Sequence, residues 1–149
     1  MSMAGLADNL KFRVEIKWDG KAGALMSTGS GNILSIDTPK DFGGFGAAPC
    51  PDELFIASIS GCILTTFLWF IRKRGVQIVD MRLEAETEIE LVKGAYSIKG
   101  IKIKAQIRAS REQAEGAKKC LDLAIRYCHI SRSIERCVPV EIAGEVIIS

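Results

Sequence analysis

The side chains on which chemistry could rest are five cysteines, Cys50, Cys62, Cys120, Cys128 and Cys137, and a single histidine, His129, directly after Cys128. An odd count argues against a complete disulfide framework. The N-terminal stretch MSMAGLADNLKF has no basic start followed by an apolar run and nothing like a cleavage site, so a cytoplasmic location and reduced thiols are expected. Any disulfide is then transient and chemical rather than structural. Cys128, His129 and Cys137 lack the spacing and the further ligand of a zinc site, and no residue pattern calls for a metal or a cofactor. Adjacent helical residues point about 100° apart, which argues against a catalytic pair of Cys128 with His129. A buried cysteine is commonly a small hydrophobe, so the residues alone leave Cys62 open between core and site.

The element that must position Cys62 is the stretch Pro51–Gly75. Pro51 suits a first helical position, and Asp52 and Glu53 favour the positive end of the helix dipole. Arg72, Lys73 and Arg74 favour the other end, and Gly75 is free to take the left-handed turn that closes a helix. Between them Leu54 to Ile71 carries no charge and is apolar on every side, which predicts a helix buried all round. At ~1.5 Å per residue it runs about 36 Å, more than a monomer of this size readily hides behind one sheet. A second copy of the chain is the simplest cover. The run also reaches the short limit of a membrane span, ~17–25 residues. Ser58, Ser60, Gly61, Thr65 and Thr66 weaken that reading, and the amphipathic strands around it need a soluble layer to cover.

The remaining elements follow from periodicity. Phe12, Val14, Ile16 and Trp18 alternate with Lys11, Arg13, Glu15 and Lys17, a strand with one wet face. Asp19-Gly20 marks a hairpin turn, Lys21 to Ser27 a return strand, and Ile33 to Asp37 a third strand of a meander. Thr38 to Cys50 reads as loop, without the lysine and helix spacing of a phosphate cradle. Leu83, Ala85, Thr87, Ile89 and Leu91 alternate with Arg82 and a run of glutamates, a strand whose acidic face is solvated. After a Lys93-Gly94 turn, Tyr96 to Arg108 reads as one strand or two, with a change of parity and a bulge at Gly100. Ser110 and Gln113 form a capping box for a second helix whose stripe runs from Ala114 to Cys128. A turn from Ile130 to Arg136 leads to a final strand, Val138 to Ile148, bent at Ala143-Gly144.

The expected fold is one α+β domain over residues 1–149, with antiparallel sheets and segregated helices. Its 48% hydrophobic content supports a real core and excludes disorder. A net charge of +2 with dispersed basic residues excludes the concentrated patch that nucleic-acid binding needs.

Two segments carry a specific likeness. Pro51-Asp52-Glu53-Leu54-Phe55-Ile56-Ala57-Ser58-Ile59-Ser60-Gly61-Cys62, followed by Arg72-Lys73-Arg74-Gly75, resembles the buried helix of the OsmC/Ohr family, the osmotically induced and organic hydroperoxide resistance proteins. Cys128-His129-Ile130-Ser131-Arg132-Ser133, followed by Val138-Pro139-Val140, resembles its second-cysteine segment. In this order and strand pattern they cover nearly the whole chain. The resemblance implies an intertwined homodimer with the long helices at its centre, a role in stress response, and thiol-dependent reduction of small organic hydroperoxides. Cys62 would be the peroxidatic cysteine, Cys128 the resolving one, and an external dithiol the reductant. Cys50, Cys120 and Cys137 then read as packing or incidental thiols.

In the family's best-defined peroxidases a glutamate directly follows the proline, and an arginine near the first hairpin helps to activate the thiol. Here Asp52 follows Pro51, Glu53 comes one place later and matches the OsmC-like branch, and the hairpin offers Trp18 and Lys21. Asp52 and Lys21 are candidates to tune the thiol, and Glu53 is carried over as a catalytic residue. On one straight helix Glu53 and Cys62 fall on opposite faces, about 13 Å apart along the axis, so the acid would have to come from the other protomer or the helix start later. The competing expectation is a non-catalytic member of the fold that binds a small ligand in an apolar pocket at the dimer interface.

Overall fold

The computed structural model describes residues 8–149; the reading of the N-terminus as leaderless falls largely on residues outside them. The chain divides into two compact units, one ending at Pro51 and the other running Asp52–Ser149. The first holds β1 (Val14–Trp18), β2 (Gly23–Thr28) and β3 (Ile33–Asp37), paired antiparallel as the expected meander. Its first turn is wider than two residues because Asp19 organises it. The Asp19 Oδ1 accepts from the Lys21 N–H at 2.7 Å and the Gly23 N–H at 3.2 Å, and Gly20 takes φ +84°. After β3, the carboxylate of the buried Asp37 gathers the loop: it accepts from the Thr38 and Ala47 N–H groups at 2.8 Å each. These backbone donors, Ala47 first, hold its carboxyl below the usual range against the opposing effect of burial.

All of α1 (Pro51–Arg74) but its first residue belongs to the second unit, and the helix ends as its sequence predicts: Gly75 takes φ +66° and the Val76 N–H reaches back to the Ile71 carbonyl. Then come β4 (Asp80–Val92), β5 (Ala95–Ala109), α2 (Arg111–Tyr127), α3 (His129–Ile134) and β6 (Val140–Ile148). The sheet order is β4-β5-β6, and Tyr96 to Arg108 belongs to one strand, with the pairing shifted beside Gly100 as its change of parity predicts. One face presents Met81, Leu83, Ile101, Ile103, Ile107, Ile142 and Val146 to the core. The other is charged in columns: Glu84 stands opposite Lys104, Glu86 opposite Lys102, and Lys102 opposite Glu141. Opposite charges across strands stabilise a solvated face modestly, which is how the glutamate run is accommodated.

Several expectations are corrected here. The β5–β6 pair is parallel, not antiparallel, because α2 and α3 carry the chain back to the end of the sheet from which β5 started. The segment from Ile130 is helical, not a turn. Ser110 caps no N–H with its hydroxyl; the Gln113 side chain accepts instead from the Gln77 N–H at 3.0 Å, in the link between α1 and β4. The burial of α1 is no such correction: one chain covers it in part, as its length led us to expect. Ile59, Cys62, Ile63, Phe67, Phe70 and Ile71 lie in the core with β5 and α2, while Ala57, Ser58 and Thr65 are exposed, because one chain supplies a layer on one side only. The helix is long and apolar enough to cross a membrane by length and composition alone, yet these six side chains are packed against protein.

No bend occurs at Ala143-Gly144, where β6 stays in register with β5. The glycine is needed for another reason: a Cβ there would run into the Leu121 side chain of α2, itself fully buried. Gly144→Ala is expected to destabilise the fold by about 1–3 kcal/mol, seen as a lower urea midpoint. Combining it with Leu121→Ala should give less than the sum of the two losses; strict additivity would show that the contact is not the cause.

Candidate active site

Ile59, Cys62 and Ile63 share one face of α1, the face that enters the core. The hydroxyls along this apolar helix are satisfied within it. Ser60 donates to the Ile56 carbonyl at 2.9 Å and Thr65 to the Gly61 carbonyl at 2.9 Å. Against the C-terminal part of α1 lies the end of α2, where the Phe70 and Tyr127 rings sit 5.8 Å apart. Cys128 follows Tyr127 at once. Its extended backbone, φ −63° and ψ 104°, ends α2, and its sulfur accepts from the Ser131 N–H at 3.5 Å and so caps α3. The Cys128 thiol also points to the Ile59 carbonyl on α1, at 3.9 Å.

The two thiols therefore meet, one from the middle of α1 and one from the α2–α3 junction. Cys62 is 7% exposed and Cys128 fully buried, and all five cysteines are free. Burial pushes the Cys62 thiol up from its ordinary 9.0, and the Cys128 thiol raises it further by hydrogen bond and by charge. The Ile130 N–H and the Thr66 hydroxyl act in the opposite direction, because both can donate to a thiolate. The third group is His129, the first residue of α3. Its Nδ1 lies 3.6 Å from the Cys62 sulfur, while the residue itself stays exposed to solvent.

Sequence reasoning set His129 beside Cys128 and argued from helical spacing against a pair. It missed the pair with Cys62. The usable signal was that Cys128 sits between two helices, where the 100° step does not apply, so that a segment delivering Cys128 to Cys62 can deliver the next side chain as well.

Within the second unit the other candidates lie elsewhere. Glu53 is exposed in the first turn of an unbroken α1, so the later start that would have brought it to Cys62 does not occur. It lines a groove with Ile56, Ser60 and Leu64 of α1 and Met81 and Leu83 of β4, on the side of α1 away from Cys62. Asp52 is half-buried beside it. Lys21 belongs to the first unit, where its carbonyl accepts from the Trp18 indole at 2.8 Å and its N–H donates to Asp19. Cys50 is half-buried and Cys137 exposed; Cys120 is fully buried, and that burial raises its thiol against the lowering charge of Arg74. Among the described residues no group of three or more His, Cys, Asp or Glu side chains is placed to hold a metal ion. Two adjacent thiols and an imidazole can cycle between dithiol and disulfide and can move a proton.

Comparison with known proteins agrees with this architecture. The model of the OsmC-like protein family matches residues 44–143. The uncharacterized Bacillus subtilis protein YmaD is 26% identical over 140 residues, covering 91% of this chain and 93% of its own length. The organic hydroperoxide resistance protein-like 2 of Staphylococcus epidermidis is 28% identical over 126 residues, covering 83% of this chain and 87% of its own. The crystal structure of an organic hydroperoxide resistance protein OsmC from Legionella pneumophila superposes with a TM-score of 0.71 at 19% identity, covering 92% of this chain and 98% of that one. An OsmC-like protein from Mycoplasma pneumoniae gives a TM-score of 0.74 at 13% identity, with 95% and 99% covered. These structures share the fold.

Because Cys128 raises the Cys62 thiol in two ways, Cys128→Ala should let Cys62 ionise at lower pH than in the wild type. The pH dependence of iodoacetamide labelling on the Cys62 peptide reads this directly, and an unmoved profile would mean that burial alone sets the thiol. A folded-state value above 9.0 contributes stability below that pH, and the contribution fades as pH climbs past it, since the unfolded chain then releases a proton that the fold retains.

Proposed function

This chain belongs to the OsmC-like protein family, and from that premise and the convergence of Cys62 with Cys128 we propose that it is a thiol-dependent peroxidase acting on small organic hydroperoxides in the cytoplasm. The single observation that carries the reading is the pairing of two free thiols brought together from α1 and the α2–α3 junction. The Cys62 thiolate attacks the terminal oxygen of ROOH, the O–O bond breaks, and the alkoxide leaves and takes up a proton as ROH. Cys62 is now a sulfenic acid. The Cys128 sulfur attacks it, a disulfide forms and water leaves, so the oxidised sulfur is protected from further oxidation. An external dithiol then reopens the disulfide by exchange.

In this reading the working form is a homodimer. The side of α1 turned away from Cys62 is apolar and partly uncovered in one chain, and a second copy is the cover that its sequence calls for. In the same reading Glu53, which lies on that side, acts toward a neighbouring protomer rather than its own Cys62.

One observation favours a second reading, a ligand-binding member of the family without turnover: the Cys62 thiol is pushed up rather than down. Peroxide consumption separates the two. With cumene hydroperoxide and dithiothreitol, the wild type should turn over, Cys62→Ser should lose essentially all activity, and Cys128→Ser should stall with Cys62 as sulfinic acid by mass. Equal, cysteine-independent rates in all three would sink the peroxidase and leave the binding protein.

A further inference from the structure

Cys62 is a poor nucleophile as it stands. A thiol in a buried site holds its proton, and an isolated buried thiolate is costly. Whatever reacts at Cys62 must therefore remove that proton without leaving an unpaired charge. Among the described residues the polar groups facing the sulfur are few. From α1 comes the Thr66 hydroxyl, one turn further on; from the α2–α3 junction come the Cys128 thiol, the Ile130 N–H and the His129 ring. The hydroxyl and the N–H can donate to a thiolate but cannot take up its proton, and a second thiol is no better a base than the first. The imidazole can take it, and it is the side chain suited to proton exchange near neutral pH.

We propose that His129 is a catalytic residue for Cys62: its Nδ1 accepts the thiol proton, and the resulting imidazolium returns that proton to the leaving group. The step balances in this form. The S–H bond breaks, the proton moves to Nδ1, and thiolate and imidazolium form a pair with no net charge. The sulfur takes the terminal oxygen of ROOH, the RO⁻ leaving group takes the proton from His129, and the products are the sulfenic acid, ROH and neutral imidazole. The geometry suits both halves. The 3.6 Å contact is within hydrogen-bond reach for sulfur, and the exposure of His129 gives an otherwise enclosed sulfur a route for protons to solvent. Its backbone is held independently of the ring, since the Ser133 hydroxyl donates to the His129 carbonyl at 2.7 Å.

The peroxide steps rest on the peroxidase reading above, but the proton transfer does not, so the test uses a reaction that needs only the thiolate. Iodoacetamide labelling of the full-length protein is followed on the Cys62 peptide by mass spectrometry across the neutral range, for the wild type, His129→Asn and His129→Gln. Loss of the base should slow labelling near pH 7 by about tenfold or more and shift the profile to higher pH, in both variants. Added imidazole should restore part of the rate in His129→Asn. Unchanged profiles in variants with wild-type circular dichroism would overturn the pairing, whatever the peroxide assay gives. Slowed labelling without peroxide turnover in any form would uphold the pairing and reject the peroxidase.

Discussion

The second unit depends on one packing constraint: the Ile59–Cys62–Ile63 face of α1 is buried in the core with β5 and α2, and it meets the α2–α3 junction through Cys128 and His129. Ile59 and Ile63 are fully enclosed, and burying side chains of that size is worth roughly 1.5–3 kcal/mol each. Cys62 lies between them on the same face, so its depth is set by its neighbours rather than by its own preference. The same burial that secures α1 deprives the thiol of water. Structural stability and chemical reactivity oppose each other at this residue.

The α2–α3 junction resolves that opposition by being irregular. A continuous helix would have kept Cys128 on the buried stripe of α2 and turned His129 about 100° away from it. The extended backbone at Cys128 stops α2, lets its sulfur cap α3 and restarts the chain with His129 turned to Cys62. A short polar segment thus delivers a second thiol, an imidazole and the Ile130 N–H to one sulfur. Sulfur is a weak acceptor, so the cap itself adds little to stability; its value lies in the placement.

Around this centre the rest of the second unit acts as a platform. The core face of the sheet holds α2 through the close approach of Leu121 to Gly144, and the opposite face meets water through facing columns of glutamate and lysine. The part of the sheet is to fix the position of α2, and with it the position of Cys128.

Much of this was determined by the sequence alone. Wherever the deciding interactions are local, the residues state the answer: the bounds of α1 from Pro51 to Gly75, the meander around Asp19, the bulge beside Gly100 and the wet glutamate face all follow from turn chemistry and periodicity. The tertiary structure alone decided the parallel placement of β6, the use of Gln113 by Gln77 rather than by its own helix, the need for glycine at position 144 and the facing of His129 to Cys62. Each of these is settled by a partner distant in sequence, and a pattern of period two or 3.6 says which face a residue occupies but not what stands opposite it. For Cys62 the residues showed a thiol in an apolar helix and the resemblance named Cys128 as its partner; that the His129 ring faces it as well is a property of the packing.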